Sequence, residues 1–203
     1  MKVLLVNGSP RKQGCTFTAL SEVARVLNRE GIETQFFQIG TKPVYGCINC
    51  RKCRDGLGRC ALEDDAANDM LSAMQQADGI IVGSPVYYAG PNGALMALLD
   101  RAFFSGAASL AYKPAACVLS CRRGGASASF DRLNKYFTIN NMPLVSSQYW
   151  NAVHGNTPEE VRQDAEGLQV MRTLGQNMAY LLKALQGRET PRREEQIRTN
   201  FIG

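Results

Sequence analysis

Four of the seven cysteines fall in one short stretch, Cys47, Cys50, Cys53 and Cys60, spaced C-x2-C-x2-C-x6-C. Thiolates are soft ligands, and four of them in so compact a segment can converge on one small inorganic centre. A [4Fe–4S] cluster is the leading reading, because such clusters draw four Cys ligands from closely spaced runs. Two other readings stay open. Structural zinc favours pairs of C-x2-C knuckles well separated in sequence, whereas here both spacings share Cys50. Cys50 and Cys53 can also serve as a redox dithiol with no metal at all.

A different chemistry is implied where a short apolar strand, Val3 to Val6, runs straight into Asn7-Gly8-Ser9-Pro10-Arg11-Lys12-Gln13-Gly14-Cys15-Thr16 and then a helix. The first N–H groups of a helix lack partners and sit at the positive end of its dipole, so this junction suits a phosphate. Ser9 and Thr16 add hydroxyl donors, and Arg11 adds charge and a fork of N–H groups. The loop has neither the G-K-[ST] of a Walker loop nor the G-x-G-x-x-G dinucleotide fingerprint. Cys15, a thiol at a helix start, is either activated there or a small buried substitute for a cap.

Two more loops close strands. Ser84-Pro85-Val86-Tyr87-Tyr88-Ala89-Gly90-Pro91 pairs adjacent tyrosines with a Gly/Pro-stiffened backbone. Ser120-Cys121-Arg122-Arg123-Gly124-Gly125 pairs two arginines with two glycines that permit close backbone approach. Farther on, Gln148 to Gly155 holds the single Trp150 and the single His154. A lone histidine is usually structural, so His154 is assigned no proton transfer. Trp150 suits either packing or the wall of a neighbouring subunit's site.

The first loop resembles that of the NAD(P)H-dependent FMN reductases of the flavodoxin superfamily, which reads G-S-x-R and closes on a small polar residue and Ser or Thr. Gly8, Ser9, Arg11 and Thr16 supply the match, with Gly14 and Cys15 offering backbone N–H groups. Cys15 stands where Asn or Ser is commoner, so its side chain is given no phosphate contact. Pro85, Val86, Tyr87, Tyr88 and Gly90 resemble the family's P-x-Y-[WFY] segment, which lies along the isoalloxazine ring. Cys121, Arg122, Arg123, Gly124 and Gly125 occupy the region that meets the pyrimidine end, where positive charge or N–H donors stabilise a reduced, anionic ring.

The cysteine run resembles that of archaeal and bacterial iron–sulfur flavoproteins, which lies after strand two and before an acidic pair, here Asp64-Asp65. The likeness spans Met1 to about Gly155. It implies bound FMN, NAD(P)H or ferredoxin as electron donor, a small-molecule acceptor, and a homodimer or homotetramer with FMN near subunit contacts. Hydride goes to the flavin, so no protein residue is named as a catalytic acid or base. The rivals are a non-enzymatic electron carrier or redox sensor with the same cofactors, and a zinc-stapled interaction domain without flavin.

These loops need a scaffold, and the pattern supplies one. Strands at Val3 to Val6, Glu33 to Ile39, Ile80 to Val82, Ala115 to Leu119 and one beginning at Pro143-Leu144-Val145 alternate with helical periodicity. That is an α/β chain with a parallel sheet covered on both faces. The class suggests a flavodoxin-like three-layer sandwich, a five-stranded parallel sheet in the order 2-1-3-4-5, with its ligand at the carboxyl ends of strands one and three. Asp64 or Asp65 can cap the helix carrying Met70, Leu71 and Met74. Thr157-Pro158-Glu159-Glu160 is a capping box opening a last helix through Leu185, with Gly167 and Gly175 positioned to bend it or to allow close packing. The reading divides the chain into a domain over 1–187, including the cysteine-rich loop 42–65, and a charged tail over 188–203.

With 203 residues, 45% hydrophobic and 20% charged, the chain has the composition of a globular domain. Its N-terminal apolar run is too short for a signal-peptide core, and no stretch is long enough to span a bilayer. The expected location is the cytoplasm, where clustered cysteines stay reduced. The net charge of +5 concentrates in Arg51, Lys52, Arg54 and Arg59 beside the cysteines and in Arg122 and Arg123. No long basic helix or aromatic–basic interleaving points to nucleic acid.

Overall fold

The structure, a computed structural model, describes residues 1–192, 194–195, 197, 199 and 201. Six strands and six α-helices alternate along these residues. The order is β1 (Lys2–Asn7), α1 (Cys15–Arg29), β2 (Glu33–Gln38), α2 (Ala67–Gln76), β3 (Gly79–Tyr87) and β4 (Gly90–Pro91). It continues with α3 (Gly93–Leu110), β5 (Ala115–Cys121), α4 (Ala126–Thr138), β6 (Ala152–His154), α5 (Pro158–Gln163) and α6 (Ala165–Leu185). The parallel strands run β2-β1-β3-β5-β6 across the sheet, and β4 is a two-residue antiparallel return on the end of β3. With that hairpin set aside, the order is the 2-1-3-4-5 expected from the fold class.

β1, β3 and β5 are buried on both faces, which is why they read as continuous apolar runs rather than alternating ones. Successive side chains still divide between two cores. Leu4, Val6, Ile80 and Val82 pack with α2, α3 and α4, while Val3, Leu5 and Ile81 pack with α1 and α6. Gly175 lets α6 lie directly on α1, since a Cβ there would meet Val26 Cβ at 2.9 Å. Glu22 on α1 bridges the same pair of helices through Arg172 at 3.0 Å.

Two expectations are corrected. Pro143-Leu144-Val145 does not begin a strand. It makes a single parallel bridge, Leu144 to Ala115, and the edge resumes only at Ala152–His154. Pro143 has no N–H to give the ladder. Ser147 also diverts the backbone, because its hydroxyl donates to Tyr149 O at 2.6 Å and lies 2.8 Å from Asn151 Oδ1. The last helix is also two. Thr157 caps α5 by accepting from the Glu160 N–H at 3.3 Å, as the capping box predicts. Asp164 then leaves helical geometry at ψ 80° and caps α6 by accepting from the Gly167 N–H at 2.9 Å. Gly167 therefore makes room for a cap, and only Gly175 serves close packing. The tail expected over 188–203 includes residues 193, 196, 198, 200, 202 and 203, which lie outside the described residues.

Candidate functional site

The carboxyl ends of β1, β3 and β5 bring the three strand-closing loops together. Gly8 N–H donates to Gly83 O at 2.8 Å, and Asn92 Nδ2 donates to Gly8 O at 2.8 Å, joining the first loop to β3 and to the start of α3. Asn7 and Gln38 hold the loop from beneath. Asn7 Nδ2 donates to Gln38 Oε1 at 2.6 Å, Asn7 Oδ1 accepts from the Ser9 N–H at 3.2 Å, and Gln38 Nε2 donates to Ser9 O at 2.6 Å. Ser9 is buried, and its Oγ accepts from the Arg11 N–H at 3.1 Å. The Arg11 side chain is exposed above the loop.

No side chain caps α1 at Gly14, and its first turn contains no acidic residue. Its opening N–H groups thus have no side-chain cap, a condition that favours an anion. Thr16 is buried and its hydroxyl lies 2.8 Å from that of Ser120, linking this helix start to the end of β5. The Cys15 thiol donates to Gly155 O at 3.8 Å. Burial raises its pKa above the ordinary thiol value, outweighing the pull of its own backbone and of Arg11. Of the two sequence alternatives the activated thiolate is disfavoured; Cys15 is half-buried, and the cap position belongs to Gly14.

The second loop is a hairpin. Val86 pairs with Pro91 and Tyr87 with Gly90, leaving Tyr88 and Ala89 as a two-residue turn with φ of 50° and 57°. Both central residues of such a turn need positive φ, a conformation that non-glycine residues adopt rarely. The turn holds the Tyr88 side chain fully in solvent and Tyr87 half out. Pro85 and Val86 are half-buried at its base. The third loop reaches the hairpin at Gly125, whose φ is 92° and where a Cβ would meet Ala89 Cα at 2.8 Å. Arg122, Arg123 and Gly124 are exposed, while Cys121 is buried with its thiol 3.5 Å from Arg123 O. Burial raises the Cys121 pKa, so it too is a neutral thiol.

The four clustered cysteines lie on a long irregular segment between β2 and α2, interrupted by one wide turn, Cys53–Leu57. All four line one small hollow, walled by Ile48, Leu62, Phe104 and Arg101. Among the described residues no three His, Cys, Asp or Glu side chains converge tightly enough to hold a single metal ion. Cys47 and Cys50 are exposed, and Asn49 and Arg51 on either side of Cys50 both have left-handed backbone, at φ 51° and 63°. Cys60 is held firmly instead. Asn68 accepts from the Cys60 N–H at 2.9 Å and donates to its carbonyl at 3.0 Å. Arg101 Nε donates to Cys60 Sγ at 3.1 Å.

Arg101 is a fully buried arginine on the inward face of α3. Its Nη1 donates to Tyr45 O at 3.2 Å, its Nη2 donates to Leu62 O at 2.7 Å, and it is ion-paired with the buried Asp65. Burial opposes the charge, but the bonds to Cys60 and Asp65 outweigh it, so the guanidinium pKa lies above the ordinary arginine value. Asp65 also accepts from the Ala67 N–H at 3.1 Å, but the cap position of α2 is Ala66, so neither candidate aspartate is its N-cap.

Residues 1–157 match the NADPH-dependent FMN reductase family model. The chain belongs to this family. Over 196 residues it is 33% identical to an iron-sulfur flavoprotein of Methanocaldococcus jannaschii, covering 91% of this chain and 99% of that one. Its fold is similar to RosB solved with bound 8-demethyl-8-formylriboflavin-5'-phosphate, with a TM-score of 0.73 at 15% identity, covering all of this chain and 92% of the other. It is similar also to a flavodoxin, WrbA-like protein from Agrobacterium tumefaciens, with a TM-score of 0.60 at 18% identity, covering 90% and 96%.

In this FMN reductase family member, sequence reading missed the residues that hold the loops rather than face them. Asn7, Gln38 and Asn92 carried no signal beyond their amides. Arg101 did carry one: it lies three residues after Leu98 on a face otherwise made of Leu95, Leu98 and Ala102, where a charge must be paired. A cavity of about 360 Å³ beside the third loop was missed as well. Gly125, Trp150, His154, Asp164 and Glu166 are among its walls. Its His154 N–H donates to Asp164 at 2.7 Å, which ties β6 to the start of α6. No helix among the described residues is long and apolar enough to cross a membrane.

Proposed function

We propose that the chain is an FMN-dependent oxidoreductase that takes electrons from NADPH and delivers them to a small-molecule acceptor. The observation that carries this is the uncapped start of α1, fastened to the other two loops by the Asn92–Gly8 and Thr16–Ser120 contacts. The N–H groups of Gly14, Cys15 and Thr16, with the Ser9 hydroxyl and the Arg11 guanidinium, would hold the FMN phosphate. Pro85, Val86, Tyr87, Tyr88 and Gly90 would line the ring. Cys121 is a buried spacer, and Arg122, Arg123, Gly124 and Gly125 meet the ring's pyrimidine edge, where cationic and N–H groups favour added negative charge.

FMN supplies an acceptor for hydride or for single electrons, so the protein's work is binding, orientation and electrostatics. The donor set of the cysteine loop suits a [4Fe–4S] cluster, because four thiols line one small hollow and such clusters take four Cys ligands. Cys47, Cys50, Cys53 and Cys60 are the proposed ligands. Exposure of Cys47 and Cys50 favours a second route, in which a ferredoxin delivers single electrons at that face. A homodimer or homotetramer would cover the exposed Tyr88 and Trp150, and seven free thiols suit the reducing cytoplasm.

Protein purified without air tests this. One FMN per chain and sustained NADPH oxidation with a quinone or oxygen as acceptor are expected. Bound FMN with only a single turnover would make the chain a carrier, and absence of FMN binding would overturn the proposal.

A further inference from the structure

Cys60 differs from the other three clustered thiols in being gripped twice, by Asn68 on its backbone and by Arg101 on its sulfur. The Arg101 side chain is wholly buried and has donors on two neighbouring carbonyls as well as on Asp65. Neither FMN binding nor hydride transfer calls for a buried cation at this place. A guanidinium that merely supported the loop would need only its carbonyl and carboxylate partners. Here one N–H is spent on sulfur instead. Hydrogen bonds to ligand sulfur and the local net charge are two of the features that set a cluster's reduction potential.

We propose that Arg101 is a positioning residue that fixes Cys60 as the anchored ligand of the cysteine loop and raises the reduction potential of the centre bound there. It does so by offsetting negative charge at the one clustered sulfur that receives a side-chain hydrogen bond, while Cys47 and Cys50 face solvent. This rests on the cluster reading above. Asp65 acts in the opposite sense on the potential, because it holds the guanidinium in place but adds a negative charge beside it.

The opposed signs give the test. Wild-type protein, Arg101→Lys and Asp65→Asn are reconstituted anaerobically with iron and sulfide, and the cluster potential is measured by equilibrium redox titration. Iron and FMN content are counted on the same samples. Arg101→Lys keeps a cation for Asp65 but withdraws the planar fork from sulfur, so its potential should fall. Asp65→Asn removes the opposing charge, so its potential should rise, with FMN content unchanged in both. If Arg101 only props up the loop, both substitutions loosen it and both potentials shift in the same direction, or neither shifts, and the inference is wrong. Wild-type protein that binds FMN but takes up no iron overturns the cluster reading and this inference together, an outcome readily told apart from iron-loaded variants with unmoved potentials.

Discussion

The β1–α1 loop and the cysteine loop lie on the same end of one sheet yet are built on opposite plans. The first is short, and its conformation follows from the strand and helix it joins. Asn7, Gln38 and Asn92 fix its carbonyls and N–H groups from three elements. The second is long and irregular, with left-handed residues around Cys50, and its firm attachments converge on Cys60, Asp65 and Arg101. A cation–π contact of Arg54 with Phe104, at 4.1 Å, adds a second tether to α3. One loop is tied down along its length, and the other chiefly at one end.

The largest effect on that contrast is expected from Cys53→Ser. It should abolish iron uptake while FMN remains bound, because the two loops are held by separate contacts; iron analysis and flavin absorbance check it. Loss of both cofactors would show that the loops form one unit. Arg101→Met leaves the buried Asp65 carboxylate without its cation and should cost about 3–5 kcal/mol of stability, read from denaturant unfolding. A cost below about 1 kcal/mol would mean that the cysteine loop has other anchors of equal weight.

Arg11→Ala should weaken FMN binding by about 1.5–3 kcal/mol, roughly 10- to 100-fold in Kd, and leave iron content untouched. The effect is confined because Arg11 is exposed and the loop beneath it is held by other residues. Glu22→Gln should have the smallest effect. The hydrogen bond from Arg25 is the main cause that holds the Glu22 carboxyl below its ordinary value of 4.5, with Arg172 adding to it. A carboxyl depressed in the folded state contributes stability that is present above about pH 4.5 and lost as pH falls through the folded value. The partners are partly exposed, so the wild-type advantage should be under about 1 kcal/mol at neutral pH and vanish in acid. An advantage that persists at low pH would place the cause in packing between α1 and α6.

The alternation of strands with helices and the three strand-closing loops were legible because each loop follows a buried apolar run, whereas the strand order came from the fold class. The edge of the sheet was not legible. Leu144 and Val145 look like a strand, but the bonds that displace them come from Ser147, whose partners depend on tertiary placement. The break at Asp164 was hidden for a related reason, since an aspartate inside a helical pattern reads as a surface residue until its acceptor is seen on Gly167. At the cysteine loop, residue types revealed the chemistry but not the anchoring. Spacing treats the four thiols alike, whereas the contacts of Asn68 and Arg101 set Cys60 apart.

The claim on which the rest depends is that the α1 junction receives a phosphate. Equilibrium titration of flavin-free protein with FMN and with riboflavin measures this directly, since the two ligands differ only in that group. FMN should bind at least about 100-fold more tightly, a difference of about 2.8 kcal/mol, and most of that preference should disappear in Arg11→Ala. Equal affinity for the two flavins would contradict the account.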